Sequence, residues 1–372
     1  MTDALQIPTE LLPADGRFGC GPAKIRPEAV EALASCGRSL LGTSHRQSPV
    51  RSLVQRVREG LLTLYGVPED FVVVLGNGGS TAFWDIAVSS LITHRSAHGT
   101  FGEFSGKFAK AAARAPHLAE PLITAAEPGQ IAVPTATDEV DTYAWAHNET
   151  STGAIAPVRR PAGSDNALVL VDGTSAAGTV PVDFDQVDAY YFAPQKGFAS
   201  DGGLWFAVLS PAAVTRMEQI AATDRWIPEI LSLKLAHDNS VKQQTLNTPS
   251  IATLVLMAEQ LDWMLGHGGL DFCAARSAES SRHLYDWAEQ HPSASPFVGR
   301  TDWRSPVVGT IDFDDSVDAA ALAASLRSNG IVDVEPYRKL NRNQIRVGMF
   351  PAIEPDDVRA LTACIDWVLP RL

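Results

Sequence analysis

The sequence predicts an α/β protein with a large, mainly parallel mixed sheet sandwiched by helices and a smaller C-terminal α+β domain. Apolar runs without polar alternation, such as Phe71–Leu75, are typical of strands buried on both faces. This run leads into the glycine loop Gly76–Thr81 and then into a helical pattern, which is how a βα unit begins. Sheets built from such units bind ligands outside the carboxyl ends of their strands.

The N-terminal part of the chain predicts an arm followed by two helices. Residues before Arg17 are polar and interrupted by prolines, which favours an extended arm. Helices are predicted over Arg26–Leu40 and over Val50–Tyr65, where apolar side chains recur at helical spacing. The loop between them contains the adjacent pair His45 and Arg46.

The succession of strand and polar loop then recurs three times. The predicted strands are Tyr143–His147, Ala167–Val171 and Tyr190–Ala193, and each ends in a polar loop that contains glycine. Long connections separate these strands, which favours parallel pairing. The helix that follows the first glycine loop is predicted over residues 82–92.

The C-terminal third has a different pattern and predicts a second domain. Two long helices come first, and short strands and helices follow them. In chain order the segments are Pro249–Leu265, Leu270–Gln290, Val307–Phe313, Val317–Ser328, Ile331–Val334, Gln344–Val347 and a closing helix from Glu354. We expect a large domain over residues 17–255 and a small domain over residues 256–372, together with the arm of residues 1–16.

Composition limits the class of function. The 372 residues carry a formal net charge of −13, which argues against nucleic-acid and anionic-membrane partners because both require a basic surface. Four cysteines are scattered without C-x-x-C spacing, so neither a disulfide framework nor a metal site is predicted. The first residues do not resemble a signal peptide, and no apolar run has membrane-spanning length. We therefore expect a cytoplasmic protein.

Three loops at predicted strand ends supply groups with complementary chemistry. Lys196 follows a buried strand, where partial desolvation favours the neutral and nucleophilic amine. Asp172 directly follows another strand. Gly79, Ser80 and Thr81 stand at a helix start, where free N–H groups, hydroxyls and the positive helix end suit a phosphate.

Each of these groups also has an ordinary structural explanation. Lys196 could be an exposed turn residue, Asp172 a turn former, and Ser80 or Thr81 a helix cap. Pyridoxal 5′-phosphate, however, requires all three groups together: a lysine, an acid at its pyridine nitrogen and a phosphate-binding site. Nicotinamide and flavin sites do not require this combination, so the sequence favours a pyridoxal-phosphate enzyme.

Seven segments carry a resemblance to a known family. On these segments the whole chain resembles the phosphoserine aminotransferases, in particular their actinobacterial branch, which are class V pyridoxal-phosphate enzymes of fold type I. The segments are FGCGPA (18–23), SHR (44–46), GGST (78–81), HNETSTG (147–153), DGTS (172–175), APQKGFASDGG (193–203) and NTP (247–249).

The resemblance implies how the cofactor is held. Lys196 would bond to it and carry a proton between the substrate Cα and C4′ of the cofactor, and Asp172 would pair with the pyridine nitrogen. Thr150 would hydrogen-bond the 3-oxygen. Phe104 would stack on the ring, where the family usually has the larger tryptophan. His147, Trp84 and Trp263 are predicted to be structural.

The resemblance also implies a phosphate seat that two subunits share. Residues of the same chain would bind the cofactor phosphate, and two residues would reach the phosphate site of a neighbouring subunit. The first group comprises Gly79, Ser80, Thr81 and Gln195, and the second comprises Asn247 and Thr248. A homodimer with shared active sites is therefore expected.

The substrate side requires cations. His45 and Arg46 match the pair that binds the substrate phosphate, and Arg346 matches the arginine whose planar fork clamps the α-carboxylate. The family commonly has His-Arg where this chain has Tyr-Arg at 337–338. Arg338 is expected to contact the phosphate, with Lys339 and Arg342 as rivals.

The implied activity is reversible transamination in serine biosynthesis, and in pyridoxine biosynthesis for related substrates. Glutamate would leave as 2-oxoglutarate, and 3-phosphohydroxypyruvate would become O-phosphoserine. The alternatives are another class V enzyme, such as an alanine:glyoxylate aminotransferase or a cysteine desulfurase, and a non-catalytic relative on the same scaffold. None of the cysteines stands in an evident mobile loop, as a desulfurase requires. The sequence leaves open whether a phosphorylated threonine analogue is accepted.

Overall fold

The computed structural model describes residues 5–372, and a seven-stranded mixed sheet forms the centre of its larger part. β9 (Leu204–Leu209) is antiparallel to β1 (Val72–Asn77) and β8 (Ala189–Phe192) on either side of it, and the other neighbouring strands pair in parallel. In spatial order the strands are β1 (Val72–Asn77), β9 (Leu204–Leu209), β8 (Ala189–Phe192), β7 (Leu168–Asp172), β4 (Thr142–Ala146), β2 (Ser96–Thr100) and β3 (Leu122–Ala125). The mainly parallel sheet confirms the predicted fold class.

Helices cover both faces of this sheet. Successive residues of one strand, such as Val73 and Val74, belong to separate apolar cores on opposite faces, and both are fully buried. This two-sided burial explains why the strand sequences show no polar alternation. One face carries α1 (Pro27–Leu40), α2 (Ser48–Tyr65) and α7 (Ile251–Gly266); the other carries α3 (Ser80–Ser90), α4 (Glu103–Arg114), α5 (Pro211–Ala221) and α6 (Leu233–Ser240).

The C-terminal part has its own core around a three-stranded antiparallel sheet. Ile7 of the arm is buried in this core, and its N–H donates to Asn329 Oδ1 at 2.9 Å. The elements are α8 (Gly269–Gln290), β10 (Ala294–Pro296), β11 (Val308–Phe313), α9 (Ala319–Ser328), β12 (Gln344–Gly348) and α10 (Pro355–Val368). A short hairpin of β5 (Asn148–Glu149) and β6 (Ala154–Ile155) belongs to the loop after β4.

Two details differ from the sequence expectations. Ile331–Val334 is not a strand, because Asp333 has a positive φ of 65° and only Val332 forms an isolated bridge, to Arg17. The expected division at residue 255 falls inside α7, which packs in the core of the large sheet. That division stays a prediction, and residues 1–4 of the arm lie outside the described residues. Within residues 5–372, no helix is both long and apolar enough to cross a membrane.

Candidate active site

A cavity of about 250 Å³ lies at the carboxyl ends of β1, β7 and β8. These strands run in the same direction, because β7 is parallel to β8 and β9 is antiparallel to both β1 and β8. The loops that follow them therefore meet at one edge of the sheet. Eight residues predicted to bind the cofactor line this cavity: Gly79, Ser80, Thr81, Phe104, Thr150, Asp172, Gln195 and Lys196.

Lys196 is buried, with 7% of its surface exposed. Its Nζ donates to the Cys20 carbonyl oxygen at 2.8 Å and to Thr150 Oγ1 at 3.4 Å. Gly21 passes so close that a Cβ there would lie 2.7 Å from Nζ. Burial lowers the pKa of the Lys196 ammonium to about 8, with the charge of Arg346 acting in the same direction. The amine is thus partly neutral near physiological pH, as a nucleophile or a base must be.

Asp172 is the last residue of β7 and is buried beside the cavity. Its Oδ1 accepts hydrogen bonds from the N–H and the hydroxyl of Thr174, the former at 2.9 Å. Its Oδ2 accepts from Trp84 Nε1 at 3.1 Å. Burial raises the pKa of this carboxyl, while the donors from Thr174 and Trp84 oppose that shift. The carboxylate therefore has a fixed orientation, and its charge acts on the nearby Lys196, whose pKa it raises.

Trp84 and Thr174 line the cavity and contact Asp172, and the sequence did not predict either contact. Trp84 was predicted to be structural, and it is indeed buried, but its indole N–H also orients Asp172. Trp84 lies four residues after Ser80, which also lines the cavity, so both occupy one face of α3. That spacing was the available signal.

The N-terminus of α3 forms the second side of the cavity. Gly79 is the N-cap residue and has no side chain with which to cap the helix, and a Cβ there would meet nothing within 4 Å. Ser80 Oγ lies 2.5 Å from Thr174 Oγ1, and the buried Gln195 Oε1 has no partner within the described residues. Free first-turn N–H groups and hydroxyls fit a phosphate group. The donor set beside Lys196 and Asp172 thus fits pyridoxal phosphate.

Phe104 lines the cavity, and Tyr337 and Arg346 follow it in a row of packed side chains. The centroid of the Phe104 ring lies 5.7 Å from Lys196 Nζ and 5.9 Å from the ring centroid of Tyr337. Arg346 packs over the other aromatic ring, 5.4 Å from the Tyr337 centroid, and its Nη1 donates to the Thr150 carbonyl oxygen at 3.0 Å. Arg346 Nε is buried and finds no partner among residues 5–372. It is a free donor close to the cavity.

His45, Arg46, Asn247 and Thr248 are not among the residues that line this cavity. His45 Nδ1 lies 3.2 Å from Thr248 Oγ1, so the two predicted loops are neighbours. The Thr248 carbonyl oxygen accepts from Asn77 Nδ2 at 2.9 Å, which places this pair of loops beside the end of β1. Burial, followed by the charge of Arg46, lowers the pKa of His45.

The three rival cations near the end of the chain have different surroundings. Arg338 is exposed and makes no hydrogen bond or ion pair with any described residue. Lys339 pairs with Glu103 beside a larger groove of about 540 Å³ that includes neither Lys196 nor Asp172. Arg342 Nη2 pairs with Asp312 Oδ2 at 2.5 Å. Of these three residues, Arg338 alone has a charged group without a hydrogen-bond or ion-pair partner in the described structure.

Comparison with known proteins gives the class of the protein. Residues 19–334 match the family model described as aminotransferase class V, and the chain belongs to this family. The family implies pyridoxal phosphate and fold type I, which agree with the lysine, the acid and the phosphate-binding helix start of the cavity. The predicted fold, enzyme class and cofactor are confirmed at this level.

Proteins of similar sequence point to one group within this class of enzyme. The chain is 61% identical to a putative phosphoserine aminotransferase from Mycolicibacterium vanbaalenii, over 100% of both chains. It is 63% identical to a phosphoserine aminotransferase from Nocardioides sp. (strain ATCC BAA-499 / JS614), again over 100% of both. The resemblance to this group is thereby confirmed.

Solved structures share the fold. A phosphoserine aminotransferase from Cytophaga hutchinsonii superposes with a TM-score of 0.87 at 20% identity, covering 95% of this chain and 99% of that one. An alanine–glyoxylate aminotransferase from Nostoc sp. gives a TM-score of 0.79 at 21% identity, covering 99% and 98%. Because both activities occur on this fold, the fold alone does not select the substrate.

Proposed function

We propose that this chain is a phosphoserine aminotransferase, which uses L-glutamate to convert 3-phosphohydroxypyruvate to O-phospho-L-serine, releasing 2-oxoglutarate. The observation that carries the proposal is the convergence of buried Lys196, Asp172 and the Gly79–Thr81 helix start on one cavity. Full-length identity of 58–63% to relatives named for this activity supports it. Serine biosynthesis is the corresponding pathway, and it would place the protein in the cytoplasm.

On the cofactor side, pyridoxal phosphate supplies an electron sink when it is bound. Lys196 would hold it covalently and, once the substrate amine has taken its place, would move a proton to and from the substrate α carbon. The lowered pKa of Lys196 suits both roles. Asp172, held by Thr174 and Trp84, would face the pyridine nitrogen and stabilise positive charge there.

The remaining cavity residues would position the cofactor. The free donors of Gly79, Ser80 and Thr81, with Gln195, would bind its phosphate, and the Thr150 hydroxyl would bind its 3-oxygen. Phe104 would cover one face of the ring. Phe104 is smaller than the tryptophan usual in the family, and its contact with Tyr337 provides further aromatic packing behind it.

On the substrate side, Arg346 would bind the α-carboxylate through its unpaired Nε and its planar fork. Arg338 would contact the substrate phosphate, because Lys339 and Arg342 are already engaged with carboxylates. His45 and Arg46 of a second copy of the chain would bind the same substrate phosphate. Asn247 and Thr248 of the first copy would reach the cofactor phosphate in the second copy's cavity. The active form would be a homodimer with shared sites.

The test is a cofactor titration followed by a comparison of amino acceptors. We expect purified protein to gain visible absorbance with pyridoxal phosphate, and then to aminate 3-phosphohydroxypyruvate with a kcat/KM at least about 100-fold above those for glyoxylate and pyruvate. Each lost charge-assisted hydrogen bond is worth about 1.5–3 kcal/mol, so two such bonds give that ratio. Equal values would instead indicate an alanine:glyoxylate-type enzyme, and failure to bind the cofactor would indicate a non-catalytic relative.

A further inference from the structure

Glu149 is fully buried, and no cation pairs with it among the described residues. Its carboxylate accepts hydrogen bonds from the N–H groups of Phe104 and Ser105, at 3.2 and 3.0 Å. It also accepts from the hydroxyls of Ser105 and Ser151, at 2.9 and 2.7 Å. The first turn of α4 is therefore capped by a residue about 45 positions away in the sequence.

The two serine hydroxyls extend this network to further backbone donors. Ser105 Oγ accepts from the N–H of Phe101 at 3.0 Å, and Ser151 Oγ accepts from the N–H of Glu103 at 3.1 Å. Each hydroxyl thus receives one hydrogen bond, and Glu149 is the nearest acceptor for its own proton, since the Gly102 carbonyl oxygen lies farther from Ser105 Oγ, at 3.4 Å. A carboxylate, which has only acceptors, matches this set of donors, whereas an amide in its place would oppose one of them.

The hydrogen-bond network around Glu149 ends at two residues that line the cavity, Phe104 and Thr150. At one end, the Phe104 ring stands 5.7 Å from Lys196 Nζ; at the other, the hydroxyl of Thr150, the next residue after Glu149, lies 3.4 Å from the same nitrogen. The network requires a residue without a side chain at Gly102, because a Cβ there would approach Glu149 Cγ to 2.3 Å. A shift of Glu149 would therefore move both cavity walls.

We propose that Glu149 is a positioning residue that holds the Phe104 ring and the Thr150 hydroxyl at the separation which the cofactor requires. This inference rests on the proposed function, because the two walls need the cofactor as the group they hold. The charge of Glu149 contributes as well, since it raises the pKa of Lys196 and partly offsets burial. Glu149 itself does not line the cavity.

The experiment compares the wild-type protein with Glu149→Gln and Ser105→Ala, each prepared without cofactor. We measure the Kd of pyridoxal phosphate, the visible circular dichroism of the bound cofactor, kcat, KM and Tm. For Glu149→Gln we expect a Kd about 10-fold or more higher, a weaker dichroic band and a lower kcat, as the loss of one or two buried hydrogen bonds predicts. Ser105→Ala removes one donor and should give an intermediate Kd.

Asp188→Asn is the matched control. Asp188 is also a buried carboxylate of the large sheet; it accepts from the Val169 N–H at 2.8 Å and pairs with Arg160, away from the cavity. The Asp188→Asn variant should have a lower Tm but an unchanged Kd and dichroic band.

The inference is wrong if Glu149→Gln lowers Tm but keeps a wild-type Kd and band. If Glu149→Gln does not fold, Ser105→Ala decides by the same two measurements, and a wild-type protein that binds no cofactor would overturn the proposed function instead.

Discussion

Lys196 and Asp172 stand close to the ends of neighbouring strands and are buried. The residues predicted to bind the substrate phosphate lie on loops instead, where His45 is half-buried and Arg46 and Arg338 are exposed. The first pair has its geometry fixed by strand register, since Asp172 pairs across to Tyr191 in the parallel β7–β8 ladder. The cations have no such constraint. Arg46, for example, contacts Gln244 at 3.2 Å through a single exposed hydrogen bond.

This contrast separates the cofactor site, which one chain largely forms, from the site of the substrate phosphate, which one chain leaves incomplete. The cavity already contains the amine, the acid and the free N–H donors of the cofactor site, and a second copy would add only Asn247 and Thr248 at the cofactor phosphate. The phosphate of the substrate, in contrast, would meet its full set of cations only when another copy supplies them. The predictions below test the two halves separately.

The largest effect is expected for Lys196→Ala. Removing the amine eliminates both the covalent attachment and the proton carrier, so kcat should fall by at least about 1,000-fold. The cofactor should still bind through its phosphate but without the visible absorbance of the lysine-bound form. Lys234→Ala, which breaks the half-buried pair with Asp238 at 2.6 Å, is the control and should keep wild-type turnover. Wild-type turnover by Lys196→Ala would refute the assignment.

The second prediction tests the sharing of sites by mixing two inactive variants, Lys196→Ala and Arg46→Ala. If Arg46 serves the partner's cavity, a mixed dimer contains one site with both native residues. Random exchange of subunits should then restore about one quarter of wild-type activity. If Arg46 serves its own chain, no mixed site is complete and the mixture stays as inactive as its components. Size-exclusion chromatography of the mixture verifies that dimers are present.

The same contrast explains what the sequence could reveal. Strand-end positions follow from local patterns, so Lys196, Asp172 and Gly79–Thr81 could be placed at one sheet edge from the sequence alone. Contacts made through tertiary packing left no local pattern. The bond from Trp84 to Asp172 spans 88 residues, and the capping of α4 by Glu149 spans about 45.

Strands without a distinctive local pattern were also missed. β2 is short and contains His98 and Gly99, and it was not predicted as a strand, although its residues up to Gly99 are buried. Its place in the sheet comes from pairing with β3 and β4 on either side, which no local pattern indicates. The sequence therefore predicted the class of the sheet better than its full set of strands.

The third prediction distinguishes the rival cations. Arg338→Ala should raise the KM for 3-phosphohydroxypyruvate by about 10- to 100-fold, because it removes a charge-assisted hydrogen bond to the substrate phosphate. Arg342→Ala should leave this KM near the wild-type value, since Arg342 is paired with Asp312 and packs over the Phe297 ring at 4.6 Å. Steady-state kinetics for both variants, with glutamate saturating, check this. The reverse order of KM values would move the phosphate contact to Arg342.

The smallest effect is a pH dependence within the cofactor half. The Lys196 pKa in the protein without cofactor is lowered from 10.5 to about 8, mainly by burial, and only the neutral amine attacks the cofactor aldehyde. The rate of covalent attachment should therefore level off above pH 8 and fall about 10-fold for each pH unit below it. Stopped-flow absorbance after mixing protein with pyridoxal phosphate measures this rate. Arg346→Ala removes a cation that also lowers this pKa, so its midpoint should move to higher pH. A wild-type midpoint near 10.5 would mean that Lys196 is exposed to water rather than held in the cavity.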